Sequence, residues 1–350
     1  MFAYTVQGTV SPMHGADGAS KGGSVARSLL DNESFEVRCI TRDASSPQAK
    51  ALTTLGAKVV QADATQRLEL EKVLLGCSGL FVNYSVYGAD IDEAEQLGKD
   101  IFLAAAAAGI KQVVFSSEPH PEKLTSGKVP LDYLDVKARV YEWVYQTQNF
   151  DSFTPIMPGW FMENMQDSLM QTLLDGFPSK KDNEGYLTCR SPLWGGNEDV
   201  PWISIGDDFG DLVHGIFLDP IRWNHRPVQA VADPMSFGEM TRIFSLGTFP
   251  RKANTRHHEL IFHLVTGQKT RYIPCDLSEV VFGVKYDNLK NQDPSALFRY
   301  AQLRDGEYYG NGPTDNRTAN QLKKAAFKAK GGKGRETLLT LREYIEREFT

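Results

Sequence analysis

Four residues in the middle of the chain have the types and spacing for proton transfer to a carbonyl oxygen. Tyr133 and Lys137 are separated by three residues at the start of a helical segment, so their side chains share one face. A tyrosine, with an ordinary pKa of about 10, can supply a proton when an adjacent lysine ammonium lowers that pKa. Ser116 and Ser117 end an apolar strand-like segment and can hydrogen-bond the same oxygen. The pattern predicts Tyr133, Lys137, Ser116 and Ser117 as catalytic residues.

A glycine-rich stretch near the start of the chain has the composition of a phosphate-binding loop. Gly15, Gly18, Gly22 and Gly23 precede an apolar segment with helical spacing that begins at Val25. Glycines let the backbone approach a pyrophosphate closely, and the free N–H groups at a helix N-terminus point at the anion. Glycine turns before helices are common, so the loop alone is weak evidence for a nucleotide site.

Arg42 distinguishes between two dinucleotides. It follows a strand-like segment at 35–41, where an acidic residue would bind the ribose 2′-hydroxyl of NAD and an arginine would pair with the 2′-phosphate of NADP. The sequence therefore favours NADP(H) over NAD(H). The alternative is that Arg42 is an ordinary solvated charge.

Short strands alternate with helices along the first half of the chain. Strands are predicted at 2–6, 35–41, 58–62, 79–84, 112–116 and 153–157, with helices at 47–55, 68–75, 94–108 and 136–145. This alternation predicts an α/β fold, a doubly wound parallel sheet of the Rossmann type with a smaller, loop-rich C-terminal substrate region. We expect an NAD(P)-binding domain at 1–164, a region at 165–310 that completes the same fold, and a basic linker with a terminal helix at 311–350.

Composition restricts the classes of partner. The chain has 350 residues, 41% of them hydrophobic, and a formal net charge of −6, which gives no overall attraction to nucleic acid or to a membrane surface. No stretch approaches the roughly 20 apolar residues that span a bilayer. Four scattered cysteines suggest neither disulfides nor zinc, so a cytoplasmic setting is expected. His257, His258 and His263 lack partners at ligand spacing, and no metal site is expected.

Several segments, taken in order, resemble the NmrA-like family of atypical short-chain dehydrogenase/reductases. The matching segments are 22–30, 37–38, 41–43, 45–47, 49–52, 55–57, 59–63, 114–117, 123–125, 158–164, 200–202 and 265–267, with Tyr272. The resemblance covers most of residues 15–310. It implies a Rossmann-type fold and a bound NAD or NADP.

The resemblance also implies roles for individual residues. For the adenosine half of the cofactor, the implied contacts are Gly15, Gly18 and Gly22 to the pyrophosphate, Arg42 and Ser46 to the 2′-phosphate, and Asp63 to the adenine edge. For the nicotinamide half, they are Tyr84 and Ser85 beside the ring, Lys137 at the ribose, and Trp160, Phe161, Met162, Glu163 and Asn164 closing over the ring.

Two departures from the family pattern affect the site. The glycine loop is one residue longer than usual, with Ser20 and Lys21 before Gly22, and Asp17 replaces a threonine. A carboxylate repels a pyrophosphate, and Lys21 can offset part of that repulsion. The position of Tyr133 is commonly histidine or another aromatic residue in the family, so the tyrosine distinguishes this chain toward catalysis.

These observations support an NADP(H)-dependent oxidoreductase of NmrA-like type that reduces a carbonyl or activated double bond of a hydrophobic small molecule, with secondary metabolism as a setting. One alternative is a non-catalytic NAD(P) redox sensor that regulates a partner protein, and a homodimer is also left open. Another is a scaffold without nucleotide, or an imperfect gene model at 1–14 and 246–263. In the plainer interpretation of the site, the Tyr133 ring packs against Leu131 or Leu134 and Lys137 serves only the ribose.

Overall fold

A seven-stranded sheet lies at the centre of the computed structural model, which describes residues 2–8, 21–86, 90–245, 267–280, 293 and 295–350. The strands are β1 Phe2–Gly8, β2 Phe35–Thr41, β3 Lys58–Gln61, β4 Gly79–Asn83, β5 Gln112–Ser116, β6 Ser152–Pro158, β7 Trp160–Phe161, β8 Leu187–Ser191, β9 Val200–Ile203, β10 Val228–Ala230, β11 Asp233–Met235 and β12 Thr270–Pro274.

Helices follow most of these strands. They are α1 Lys21–Leu30, α2 Pro47–Thr54, α3 Arg67–Leu74, α4 Ile91–Ala107, α5 Pro121–Leu124, α6 Asp132–Thr147, α7 Ser168–Thr172, α8 Gly210–Leu218, α9 Pro220–Trp223, α10 Phe237–Ser245, α11 Ala296–Leu303, α12 Arg317–Ala329 and α13 Leu341–Phe349. Short 3₁₀ turns occupy Met162–Gln166 and Leu277–Glu279, and a π turn at Ile205–Phe209 leads into α8.

The order of the central strands is β10-β6-β5-β4-β1-β2-β3, and every pairing in this sheet is parallel. The chain runs outward in one direction from β1 to β3 and in the other from β4 to β6. Ligands of open α/β sheets bind outside the carboxyl ends of the strands where the direction reverses, here between β1 and β4. The predicted doubly wound parallel sheet is confirmed.

Side chains of the sheet are buried on both faces. Within β4, Phe81 joins one apolar core, whereas Leu80 and Val82 join the other. The first core also receives α1 and α8, and the second receives α3, α4 and α6. A strand covered by helices on both faces has no polar face, which explains why β4 is a continuous apolar run.

The helix α1 contains the last residues of the candidate cofactor loop, and close packing fixes its position. Val25, Ala26 and Leu29 are fully buried, and α8 covers them. A Cβ atom at Gly210 would lie 2.2 Å from the carbonyl oxygen of Ser24, so only glycine allows the two backbones to approach this closely.

Elements from the later part of the chain complete the sheet. The strand β10 pairs with β6, and Val228 stands opposite Ile156. Two smaller sheets, β11-β9-β7 and β12-β8, lie outside the central one. Within the described residues, no helix combines the length and the apolar character needed to cross a bilayer.

The prediction of a basic linker in the first part of 311–350 is wrong. Residues Arg317–Ala329 form α12, which packs against α8 and buries Ala319, Leu322 and Ala326. Lys323 is only 1% exposed, and its ammonium lies 3.0 Å from the Asp208 carboxylate and 2.8 Å from that of Asp211. The terminal helix begins at Leu341, with Thr340 as its N-cap.

Candidate active site

The two predicted serines lie at the carboxyl end of β5, next to the reversal point of the sheet. Both side chains are fully buried. The Ser117 backbone N–H donates to the carbonyl of Ile156 in β6 at 3.0 Å, which fixes the strand end. Among the described residues, the Ser117 hydroxyl has no hydrogen-bond partner, whereas that of Ser116 accepts one from Lys21. A buried hydroxyl without a partner is rare and fits a position that a ligand completes.

The helix α6 brings Lys137 to the same edge. Its ammonium lies 3.5 Å from the amide oxygen of Asn83, at the end of β4, and 5.6 Å from the centre of the Tyr84 ring. Asp135 fixes the start of the helix by accepting from the backbone N–H of Leu131 at 2.6 Å. Burial lowers the pKa of Lys137, while the negative charge of Glu118 raises it.

Tyr133 is the second residue of α6 and is partly buried. Its ring packs against both apolar cores of the sheet, as the plainer interpretation expected in part. It also lies near Tyr308, whose pKa it helps to raise. The structure therefore places Tyr133 beside the buried polar groups of the site, on the same helix as Lys137.

Lys21, the first residue of α1, reaches across to the serines. Its ammonium donates to the Ser116 hydroxyl at 3.2 Å and lies 3.8 Å from the Glu118 carboxylate. The rings of Phe161 and Phe209 lie 5.1 and 5.9 Å from the same nitrogen. Burial is the main cause that lowers the pKa of Lys21 from 10.5 to about 7; the charge of Lys137 lowers it further and that of Glu118 raises it.

Glu118 and Tyr308 complete this cluster and were not predicted as site residues. The Glu118 side chain, two residues after β5, is only 11% exposed. Burial raises the pKa of Glu118, and Lys21, Lys137 and a hydrogen bond from Tyr308 oppose that rise. Tyr308 is far away in sequence, so no local pattern links it to Glu118. Among the described side chains, two lysines face one carboxylate, which gives this set of groups an excess positive charge.

Residues predicted for the adenosine half lie at the ends of β2 and β3. Arg42 is exposed, and its charge is one of the causes that lower the pKa of Asp63, after the hydrogen bonds from Thr65. The Ser46 hydroxyl is the N-cap of α2 and accepts from the Ala49 N–H at 3.3 Å. Arg42, Ser46 and Asp63 are therefore near one another at the strand ends.

The described part of the glycine loop begins at Lys21. Gly22 is buried in the first turn of α1, directly after Lys21. Gly15, Gly18 and Asp17 lie outside the described residues. The N-terminus of α1 is at the carboxyl side of β1, which is where a pyrophosphate binds in folds of this topology.

Two residues predicted beside the nicotinamide follow β4. The Tyr84 ring lies in the core, stacked 6.1 Å from the ring of Phe115. Its hydroxyl occupies space next to Gly98 of α4, where an added Cβ would approach it to 2.4 Å. The tyrosine side chain is therefore directed toward the α4 layer, while Ser85 is partly buried in the following loop.

The segment 160–164 lies mostly in the interior. Trp160 packs edge-on against Phe237 at 5.2 Å within an aromatic cluster, and Met162 is fully buried. Glu163 accepts from the Ser204 hydroxyl at 3.0 Å and from the Gly206 N–H at 2.9 Å, so it fixes the turn before α8. The Phe161 ring lies 5.1 Å from the Lys21 ammonium, and Asn164 lies in the 3₁₀ turn.

In the part of the chain that the structure describes, no group of three or more His, Cys, Asp or Glu side chains is arranged to hold a metal ion. His257, His258 and His263 lie outside that part.

Sequence comparison identifies relatives over nearly the whole chain. The model of the NmrA-like family matches residues 13–258. A protein of Aspergillus japonicus, the NmrA-like family domain-containing oxidoreductase himF, is 41% identical over 344 residues, covering 96% of this chain and 97% of that protein.

Solved structures share the fold at lower identity. Crystal structures of NmrA, a negative transcriptional regulator, in complex with NAD and with NADP have TM-scores of 0.67 and 0.66 at 17% and 16% identity, and each covers 99% of this chain and 95% of its own. The triphenylmethane reductase of Citrobacter sp., complexed with NADP(H), has a TM-score of 0.64 at 15% identity and covers 99% of both chains. The chain belongs to the NmrA-like family and is an oxidoreductase.

Proposed function

We propose that this oxidoreductase uses NADP(H) to reduce a carbonyl or an activated double bond of a hydrophobic small molecule, in the cytoplasm and in secondary metabolism. The observation that carries the proposal is the buried cluster of Lys21, Ser116, Glu118 and Lys137 at the reversal point of the sheet. Free cysteines at all four positions are consistent with a reducing compartment.

A nicotinamide dinucleotide fits the residues at this edge. The N-terminus of α1 and Gly22 would hold the pyrophosphate, with Gly15 and Gly18 in the preceding loop. Arg42 and Ser46 would bind the 2′-phosphate, Asp63 the adenine edge and Lys137 the ribose. The Ser117 hydroxyl, which has no partner among the described residues, and the two ammonium groups of Lys21 and Lys137 suit a ligand that carries anionic and hydrogen-bonding groups. NmrA in complex with NAD or with NADP, and triphenylmethane reductase in complex with NADP(H), share the fold.

The bound cofactor would supply a hydride. The chain's own residues would orient the substrate oxygen through the Ser116 and Ser117 hydroxyls and provide a proton from Tyr133. The Lys137 ammonium would favour the ionised tyrosine and so ease proton release. The rings of Phe161 and Phe209 would exclude water from the reacting groups.

The preference for NADPH depends on Arg42. We expect Arg42→Ala to raise the Kd for NADPH by about 10- to 100-fold, the value of a lost charge-assisted contact, and to leave the Kd for NADH unchanged. Cofactor fluorescence titrations measure both constants. Arg67→Ala, which removes an exposed arginine of α3, is the control and should change neither. Wild-type protein that bound neither dinucleotide would refute the proposed function at its first step.

Tyr133→Phe tests the proton donor. Loss of a general acid should reduce kcat by about 10²- to 10⁴-fold, with the NADPH affinity retained. The measurement uses NADPH oxidation with 9,10-phenanthrenequinone, a neutral dicarbonyl, as the probe. Tyr145→Phe, on the same helix and 54% exposed, should leave kcat unchanged.

A non-catalytic redox sensor is the second candidate, because the NmrA structures are those of a negative transcriptional regulator. In that case a protein partner would replace the small-molecule substrate, and a homodimer is compatible with either function. The sensor predicts cofactor binding without turnover of any carbonyl probe, and a Tyr133→Phe variant that retains partner regulation in cells. Measurable turnover that Tyr133→Phe abolishes would favour the enzyme.

A further inference from the structure

The Lys21 ammonium lies 3.2 Å from a hydroxyl to which the proposed function assigns the substrate oxygen. It donates to the Ser116 hydroxyl, which is itself one of the two hydroxyls expected to hold that oxygen. Lys21 is buried, at 7% exposure, and it belongs to α1 whereas Lys137 belongs to α6, so two different helices supply the two ammonium groups.

We propose that Lys21 is a further catalytic residue, which acts with Ser116 to stabilise negative charge on the substrate oxygen. The site thereby favours substrates whose oxygen becomes anionic over substrates that are cations. The inference rests on the proposed function. The substrate class is a neutral ketone, quinone or enone, because addition of hydride to each of these moves an electron pair onto oxygen.

Charge supports this substrate class. Lys21 and Lys137 face the carboxylate of Glu118, so within the part of the chain that the structure describes this cluster holds two ammonium groups and one carboxylate. A low-dielectric interior makes such a charge more effective than it would be in water. A cationic acceptor, such as a triarylmethyl dye, would meet repulsion on entry, whereas an oxygen that gains negative charge would be attracted.

Glu118 is a positioning residue for Lys21. The groups that face Lys21 are Glu118 after β5 and Lys137 on α6, and the hydroxyl of Tyr308 bonds to Glu118 from the later chain. Burial and Lys137 lower the pKa of Lys21, and Glu118 raises it. Glu118 therefore increases the protonated fraction of Lys21 near neutral pH and lies 3.8 Å from its nitrogen, which donates to Ser116.

The test compares wild type with Lys21→Met, Lys21→Arg and Glu118→Gln, and Lys72→Met on the exposed face of α3 is the control. Two probes are used with NADPH: 9,10-phenanthrenequinone, which is neutral, and crystal violet, which is a cation. Wild type should favour the quinone in kcat/KM. Lys21→Met should lose about 10²- to 10³-fold in kcat on the quinone, as for removal of one oxyanion donor, without loss on crystal violet. Lys21→Arg should retain more activity than Lys21→Met.

Two further readouts separate this role from others. The NADPH affinity of Lys21→Met, measured by fluorescence, should stay within about threefold of wild type. Activity on the quinone should fall as the pH rises through the pKa of Lys21, because the neutral amine cannot stabilise an anion. Glu118→Gln should move that fall to lower pH, since it removes the charge that raises the pKa of Lys21.

Several results would overturn the inference while the proposed function stands. One is an unchanged kcat in Lys21→Met. Another is a kcat/KM for crystal violet that equals the kcat/KM for the quinone in wild type. A third is a weakened NADPH affinity of Lys21→Met with kcat retained, which would make Lys21 a ligand of the cofactor phosphates. If Lys21→Met does not fold, Lys21→Arg and the pH profile of Glu118→Gln decide the question. Failure of wild type to bind NADPH, or to reduce either probe, refutes the proposed function itself and this inference with it.

Discussion

The buried His214 is held as a neutral ring by Ser28 of α1 and by Asn32, which follows that helix. The Ser28 hydroxyl lies 3.1 Å from Nδ1 and donates its own proton to Asp211, so it accepts the Nδ1 proton. The Asn32 amide nitrogen, 3.0 Å from Nε2, donates to that atom. Burial is the main cause that lowers the pKa of His214 to about 4. If Nε2 were protonated, its N–H and the Asn32 N–H would be two donors facing each other, which explains why the neutral ring is favoured.

This arrangement predicts a loss of stability in mild acid. The unfolded histidine takes up its proton below about pH 6.5, whereas the folded one does so only near pH 4, so the free energy of unfolding should fall between these values. The contribution of His214 is at most about 3 kcal/mol. Urea unfolding near pH 7 and near pH 4.5 measures the change.

His214→Gln should reduce the difference between the two conditions, because it removes the titrating group. The control is His225→Asn, at an exposed residue with a φ of 58° that asparagine tolerates, and its pH dependence should equal that of wild type. An unchanged difference in His214→Gln would show that carboxylates alone cause the acid sensitivity.

At the scale of the elements, α12 shows why one segment was misassigned. Its lysines suggested a solvated linker, yet Ala319, Leu322 and Ala326 repeat at helical spacing and are buried against α8. A Cβ at Gly215 would lie 2.6 Å from the Leu322 carbonyl oxygen, so the two helices are in close contact. The many lysines of this segment made its narrow apolar stripe hard to recognise in the sequence. In addition, the acidic partners of Lys323 lie far away in sequence. By contrast, each βα unit in the first half of the chain is defined by the spacing of apolar residues that are close together in sequence. These units were predicted well.

Lys323 should stabilise the molecule far more than its neighbour Lys324. Lys323→Met would leave two buried carboxylates, Asp208 and Asp211, without this counter-charge, and we expect a loss of about 3–5 kcal/mol in the free energy of unfolding. Lys324→Met, at an exposed position on the same helix, should change it by less than about 0.5 kcal/mol. Urea unfolding at neutral pH measures both. Equal effects of the two variants would contradict the assignment of a buried ion cluster.

At the scale of the whole molecule, the sequence was informative about topology and only partly about the site. The alternation of strands and helices was sufficient to predict the parallel sheet, because each element shows its own spacing of apolar residues in the sequence. Ser116 and Lys137 could be predicted from position relative to the strand ends. Lys21 and Tyr308 could not, since their roles depend on contacts between distant parts of the chain, and a loop sequence does not encode where a side chain will reach.

The pairing of β10 with β6 has a consequence for synthesis on the ribosome. Until α8 has left the exit tunnel, the apolar face of α1 is uncovered. Until residue 230 follows, one edge of β6 is unpaired. The first surface is exposed until residue 218 has emerged, and the second from residue 158 to residue 230. We expect such a nascent chain to need chaperones that bind apolar segments, because uncovered apolar surface and open strand edges promote aggregation.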